Sequence, residues 1–365
     1  MVTIIIFILV LSLLVFVHEF GHFIVAKKSG ILVEEFGIGM GPRIFTVGND
    51  GETLYTINLL PIGGFVRLQG EVEEAPTDKP IDETRSFNTK KPIVKAAVLT
   101  AGITMNFLLG MVLIGIILAV NGKPNVTIFF EINNVAESSP AAEEKLISGN
   151  LIVAYKTIND NNLTQTFTQD DFIKFISENK GSEVVLEIAE NNDEDSPHSF
   201  IKLIPRVNPP EGQGALGIQF TQNYSVTYQK LPWYYIPGES IKTSYTLTLE
   251  IAKGFSSMIS DLIVKREVPA DIAGPIGVAK LTGDAAAAGI IPLMQLVALI
   301  SINLAFVNIL PFPALDGGRL VFVVIEGIFK RKVLPKYEGW IHLAGFVILL
   351  ALIVVISFSD IKKFF

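Results

Sequence analysis

The sequence predicts an α-helical polytopic membrane protein with four transmembrane helices, a membrane-associated β-hairpin and an inserted extracytoplasmic α+β domain. Three observations lead there. Half of the 365 residues are hydrophobic and only 18% are charged, which is too apolar for an ordinary soluble chain. Mean hydropathy is accordingly positive, at +0.48. Four apolar runs approach the roughly 20 residues needed to cross a hydrocarbon core about 30 Å thick. Between the second and third runs lies a long acidic stretch with short β-rich segments. The chain has no cysteine, which excludes disulfide frameworks, cysteine zinc sites and thiol catalysis. Any metal ligand or nucleophile must therefore come from His, Asp, Glu, Ser or Lys.

Taken in order, the first span covers 1–26 and is apolar or Ser/Thr until Val17, after which His18, Glu19 and His22 interrupt it. It reads as a span rather than a cleaved signal peptide, because a basic n-region and a small-residue cleavage site are missing and the apolar pattern resumes after His22. Residues 27–95 hold a hairpin and a linker. The part over 37–66 is rich in Gly and β-formers, and Tyr55-Thr56-Ile57-Asn58-Leu59-Leu60 alternates in part, as a strand dipping into the membrane would. The acidic part over 71–91, with Pro76 and Pro80, lacks apolar periodicity and reads as a cytosolic linker. The second span covers 96–120.

Residues 121–210 form the outside domain, with strands over 127–132, 151–155, 184–188 and 199–204 and a helix near 170–177. His198 falls there in a polar turn with nothing to pair with it. Residues 211–288 connect this domain to the third span, through a roughly helical apolar pattern over 241–262 that lies along the membrane surface or packs on the outside domain. The third span covers 289–318, a cytosolic loop 319–340, and the fourth span 341–365. His342 lacks metal-ligand spacing and reads as interfacial.

Lys27 and Lys28 follow the first span, Lys90, Lys91 and Lys95 precede the second, and Arg319, Lys330, Arg331, Lys332 and Lys336 follow the third. This places those loops in the cytosol and both termini outside. The outside segment carries much of the negative charge, as in Glu143-Glu144 and Asp193-Glu194-Asp195. Lys362 and Lys363 pull weakly the other way, and can snorkel to the interface.

The chemistry begins with His18-Glu19-Phe20-Gly21-His22. Histidines at i and i+4 project from one helical face a turn apart and can share a zinc ion, leaving a position for water. Glu19 then sits beside that water as general base. Ionisable groups inside a span cost on the order of 2.5–3.5 kcal/mol each on insertion scales, so their presence there points to function. A third ligand should lie at the same depth. Asp316 qualifies: the third span runs in the same direction as the first, and Pro311 and Pro313 loosen its end. An ordinary interfacial aspartate before a Gly-Gly turn is the other reading of that residue. Asn308 either bonds a substrate backbone or makes a polar contact between helices.

Five motifs in order resemble the site-two protease family of intramembrane metalloproteases, most closely its bacterial branch with a PDZ domain. They are His18 to His22, Phe36-Gly37-Ile38-Gly39-Met40-Gly41-Pro42, Pro61-Ile62-Gly63-Gly64-Phe65-Val66, Gly274-Pro275-Ile276-Gly277 and the run from Asn308 to Gly318. The likeness spans nearly the whole chain. It implies zinc held by His18, His22 and Asp316, catalysis by Glu19, and cleavage within or beside a substrate's transmembrane segment. A strand edge at Gly63, Gly64 and Phe65, with Asn308, would hold the unwound substrate. One departure stands out: the family's Ala-Gly-Pro is here Ala101-Gly102-Ile103, with the following Asn106 retained.

Within the outside domain, Ser139-Pro140-Ala141-Ala142, Leu146, Gly149 and Leu151-Ile152 resemble a PDZ domain, with Gly149-Asn150 in place of the usual Gly-Asp and no clear carboxylate-binding loop. A steric filter and a reader of C-termini both fit. The resemblance also implies a bacterial cytoplasmic membrane and substrates that are single-span regulators such as anti-sigma factors, or leftover signal peptides, with no nucleic-acid partner. Two other classes compete with the enzyme. A silent scaffold binding peptides through the PDZ-like domain has no need of an ionisable cluster in lipid. A cation transporter is disfavoured by four spans without an inverted repeat.

Overall fold

The computed structural model describes residues 2–71, 82–158, 160, 162–164, 168–189, 197–261, 264, 274–330 and 335–364. The linker prolines Pro76 and Pro80, the cluster Asp193-Glu194-Asp195 and the basic pair Arg331-Lys332 lie outside the described residues. In chain order the elements are helix α1 (Val2–Lys28), strands β1 (Val33–Asn49) and β2 (Leu54–Leu68), and helix α2 (Pro92–Asn121). Then come β3 (Lys123–Val135), α3 (Pro140–Glu143), β4 (Leu151–Thr157), α4 (Gln169–Glu178), β5 (Val184–Ala189), β6 (His198–Leu203) and β7 (Ile218–Gln229). The chain closes with α5 (Ile236–Ser260), α6 (Pro275–Ala288), α7 (Ile290–Ile309), α8 (Asp316–Phe329) and α9 (Pro335–Phe364). It divides into two compact units, Met1–Val120 with Leu231–Phe365, and Asn121–Lys230.

In the first unit, four helices are long and apolar enough to cross a membrane: α1, α2, α7 and the part of α9 over Glu338–Lys363. Many of their large apolar side chains are exposed, among them Ile4, Leu9, Val112 and Val355, as lipid-facing residues are. Val10, Leu14 and Val297 pack with Leu109 and Leu113 where α1, α2 and α7 meet. Ala26, Val33, Leu68, Val98 and Val323 tie α1, both hairpin strands, α2 and α8 together. Within the first unit, Ile236, Leu247 and Ile251 of the amphipathic helix α5 pack against Ile114, Leu118 and Ile302 of α2 and α7. Ser240 Oγ on α5 donates to the Met111 carbonyl at 2.6 Å.

The β1–β2 hairpin is antiparallel and repeatedly shifted in register. Its far arm pairs Arg43 with Asn58 and Asn49 with Leu54, and its near arm pairs Val33 with Leu68 and Ile38 with Gly64. The strands also fold so that Glu35 to Ile38 lie alongside Leu54 to Ile57. Among the described residues, the segment 64–68 consequently has a partner on one side only. Met40, Ile44, Phe45, Val47, Leu59 and Leu60 are all exposed on the hairpin.

The second unit is an antiparallel five-stranded sheet in the order β6-β5-β4-β3-β7. Phe130, Ile132, Leu186 and Ile188 fill its core with Phe172 and Ile176 of α4. Thr168 and Asp171 cap α4 reciprocally, which fixes its start. Two expectations change here. β7, which pairs with β3 from Lys123↔Gln229 to Val135↔Ile218, extends the unit to Lys230 rather than 210. Ile218, Phe220, Tyr224, Val226 and Tyr228 alternate with polar residues along it, so its period-two signal was present. His198 is not unpaired: its Nδ1 lies 2.7 Å from the Glu187 carboxylate on the neighbouring strand. A third change falls in the first unit, where 319–330 is largely helix α8 instead of loop.

Candidate metal centre

One turn of α1 separates His18 from His22, and their Nε2 atoms stand 3.1 Å apart. Asp316 completes the cluster, with its Oδ2 at 3.0 Å from His18 Nε2 and 3.3 Å from His22 Nε2. Among the described residues this is the one group of three such side chains whose ligand atoms converge, within 4.8 Å of one another.

Helix breaking brings Asp316 there. α7 ends at Ile309, Leu310 is extended, Ala314 takes a left-handed φ of 76°, and α8 begins at Asp316 itself. The helix of the third span thus ends just before the Pro311–Pro313 run, with Asp316 beyond it as expected, and the chain hands over to a second helix. The chain doubles back so tightly that a Cβ on Gly317 would lie 2.2 Å from the Leu310 carbonyl oxygen and one on Gly318 2.3 Å from that of Phe312. The Gly-Gly pair is thus a packing requirement of the carboxylate's position.

The second helix adds no side chain to this group of three but orients the histidines of the first. His22 Nδ1 lies 2.7 Å from the Val98 carbonyl, which can only accept, so the ring's proton sits on Nδ1 and the Nε2 lone pair faces the cluster. Asn106, buried on α2, places its carboxamide 3.4 Å from His18 Nδ1. Its Oδ1 lacks a hydrogen-bond partner among the described residues. Turning the amide over sets Oδ1 against an Nδ1–H and satisfies both groups, which gives His18 the same tautomer as His22. Ser301 Oγ on α7 donates to the Asn106 carbonyl at 2.7 Å and holds α2 in place. Gly102 permits the approach, since a Cβ there would stand 2.4 Å from His22 Nε2 and 2.7 Å from the His18 ring.

Two imidazole lone pairs and a carboxylate converging without a proton between them repel one another unless a cation intervenes. Asp316 Oδ2 is buried with no hydrogen-bond donor among the described residues, as a ligand atom would be. Tetrahedral zinc with bonds of about 2.0–2.1 Å separates its ligands by roughly 3.3 Å, close to the distances found here. The donor set therefore fits zinc.

Glu19 is half-buried on α1 between the histidines. A Cβ on Gly64 would stand 3.5 Å from Glu19 Cγ, so the one-sided segment of β2 runs directly over the glutamate. Gly63 has a φ of 86° and Phe65 pairs with Gly37. Asn308 is half-buried on α7. Behind the metal cluster, Arg319 pairs with Glu71 at the end of the hairpin. His342, expected to be merely interfacial, accepts the Ala314 N–H on its Nδ1 at 2.9 Å and so touches the loop that carries Asp316. Spacing gave no signal for it, because the contact spans a helix break and the start of another span.

The pattern of peptidase family M50 matches residues 6–352. A chain from Clostridium perfringens that bears a zinc metalloprotease name is 34% identical over 97% of this chain and 96% of that one. Zinc metalloprotease RasP of Shouchella clausii is 30% identical over 100% of this chain and 99% of its own. The regulator of sigma-W protease RasP of Bacillus subtilis is 28% identical, again over 100% and 99%. The family match covers nearly the whole chain, and the chain belongs to peptidase family M50, the intramembrane zinc metalloproteases.

Proposed function

We propose that His18, His22 and Asp316 hold the zinc and that Glu19 is the general base in hydrolysis of a peptide bond within or beside the transmembrane segment of a single-span protein. The convergence of three ligand atoms, with His22 Nδ1 committed to Val98, carries this reading. Zinc supplies Lewis acidity that lets water lose a proton near neutral pH. Glu19 takes that proton on its carboxylate and returns it to the leaving amine nitrogen. A helical substrate hides its peptide groups, so it must unwind locally before attack. Gly63, Gly64 and Phe65 offer it a strand edge beside Glu19, and Asn308 a side-chain amide for its freed backbone.

The exposed apolar hairpin residues suit contact with lipid. Antiparallel packing of α1 on α2, with His22 beside Val98 and Val10 beside Leu109, supports placing Lys27, Lys28, Lys90 and Lys91 together on the cytosolic side of a bacterial cytoplasmic membrane, with both termini outside. The Asn121–Lys230 unit is read as PDZ-like, outside the membrane, screening substrates before they reach the metal. The sigma-W name of the Bacillus relative favours anti-sigma-type regulators as substrates, with signal-peptide remnants as a second class.

Zinc analysis and cleavage of a single-span substrate by the detergent-purified chain test this. Wild type is expected to hold about one zinc and cut, Glu19→Gln to keep zinc without cutting, and Asp316→Asn to lose zinc. Undiminished cutting by Glu19→Gln, or metal-free active protein, would overturn the mechanism.

A further inference from the structure

A cavity of about 440 Å³ opens beside Asp316, between the loop that carries it and α9. Its polar lining comes from Asp316, Arg319 and His342, and its apolar lining includes Leu315, Leu343 and Phe346. The protonation of His342 follows from its contacts. Nδ1 accepts the Ala314 N–H, so it bears no proton, and the neutral ring carries its proton on Nε2. That Nε2 is buried and has no hydrogen-bond partner among the described residues. The nearest carboxylate oxygen, on Glu338, is 3.9 Å away, too far for a hydrogen bond.

Arg319 is already neutralised by Glu71, and Asp316 Oδ2 faces the Nε2 atoms of the two histidines. The cavity wall therefore includes a histidine whose one neutral donor lacks an acceptor among the described residues, beside apolar side chains. An anion finds no free charge there, whereas an unwound apolar peptide brings both a side chain for the walls and a bare carbonyl for the donor. We propose that this cavity is a substrate subsite next to the metal, in which His342 Nε2–H donates to a main-chain carbonyl of the bound peptide. The inference rests on the proteolytic reading above and deepens it. It makes the last span, which supplies no metal ligand, part of the substrate-binding wall.

Two variants of the detergent-purified, zinc-loaded chain separate its parts. His342→Asn can still accept the Ala314 N–H through its side-chain oxygen, but its amide N–H groups stop short of the position of the imidazole Nε2. His342→Asn is expected to keep its zinc and its kcat while KM rises roughly tenfold, the loss of one hydrogen bond made equally to substrate and transition state. Wild-type constants, a fall in kcat alone, or loss of activity in step with loss of zinc would each overturn the subsite. Phe346→Ala gives a second route should His342→Asn fail to fold. With substrates carrying Ala, Leu or Phe on either side of the scissile bond, it should shift preference toward Phe at one position, and an unchanged preference overturns the proposal. Glu19→Gln run in parallel keeps the two readings apart: if it cuts, the mechanism fails whatever His342 does, and if it is inert, a negative result at 342 and 346 removes the subsite alone.

Discussion

Polar groups are buried twice between α2 and α8, and the two places behave differently. Near the start of α2, Lys95 Nζ meets Glu326 Oε2 at 2.8 Å, with side chains 4% and 16% exposed. A cation faces an anion and the pair is complete. At the other place, α2 presents the Val98 carbonyl and Asn106 to the backs of two histidines, while α8 presents Asp316 to their fronts. Nothing cationic completes that cluster among the described side chains. The closed pair holds the helices in register, and the open cluster has the donor set that a cation would complete. Burial alone therefore does not mark function; burial of donors that all want the same missing partner does.

The sharpest way to break this contrast is Glu19→Gln, which should lower kcat by on the order of 10²–10⁴ while zinc stays bound, because the base is not a ligand. Zinc analysis beside single-turnover cleavage checks it. Next comes the closed pair. Lys95→Met should destabilise the protein by about 3–5 kcal/mol by stranding the Glu326 charge, whereas Lys95→Met with Glu326→Leu should recover most of that, read by thermal melting in detergent. Zinc content of the folded fraction should not change in either. A smaller effect is expected at Asn106, where Asn106→Leu should weaken zinc binding by about 10–100-fold by releasing the His18 ring, measured by competition with a chelator.

The smallest effect lies at an exposed pair. Asp50 caps the hairpin turn, and the Lys27 ammonium, then the backbone N–H groups of Thr53 and Glu52, hold its carboxyl well below the usual carboxylate range. A depressed folded-state value contributes stability above the unfolded value of about 3.9, and that contribution disappears as pH falls below it. The melting difference between wild type and Asp50→Asn should accordingly be slight at pH 7 and close as the pH falls below about 4. A difference that widened in acid would contradict the contact.

The histidine pair was legible because a helix repeats every 3.6 residues, so i and i+4 must share a face. The spans were legible because lipid requires long apolar runs and tolerates few charges. Strands β3 to β6 lie near the β-rich runs between turns that the sequence displays, and β7 carries its own signal in the alternation of Ile218, Phe220, Tyr224, Val226 and Tyr228 with polar residues. Helix α8 is hidden in the sequence by the basic run Lys330-Arg331-Lys332, which marks a cytosolic loop, and its apolar face emerges only against α2 and the hairpin.

What the sequence determined by itself is what depends on local periodicity and composition: membrane spans, the position of His18, Glu19 and His22 on one helix, and the candidacy of Asp316 beside a helix-breaking Pro-Phe-Pro run. The tertiary structure alone decided which groups stand behind the ligands. The Val98 carbonyl is a backbone atom without a sequence signature, and Asn106 and His342 lie on other spans, brought to the cluster by helix packing. Hydrogen bonds across such sequence distances are set by where whole helices cross, and no window of residues short enough to show periodicity contains both partners.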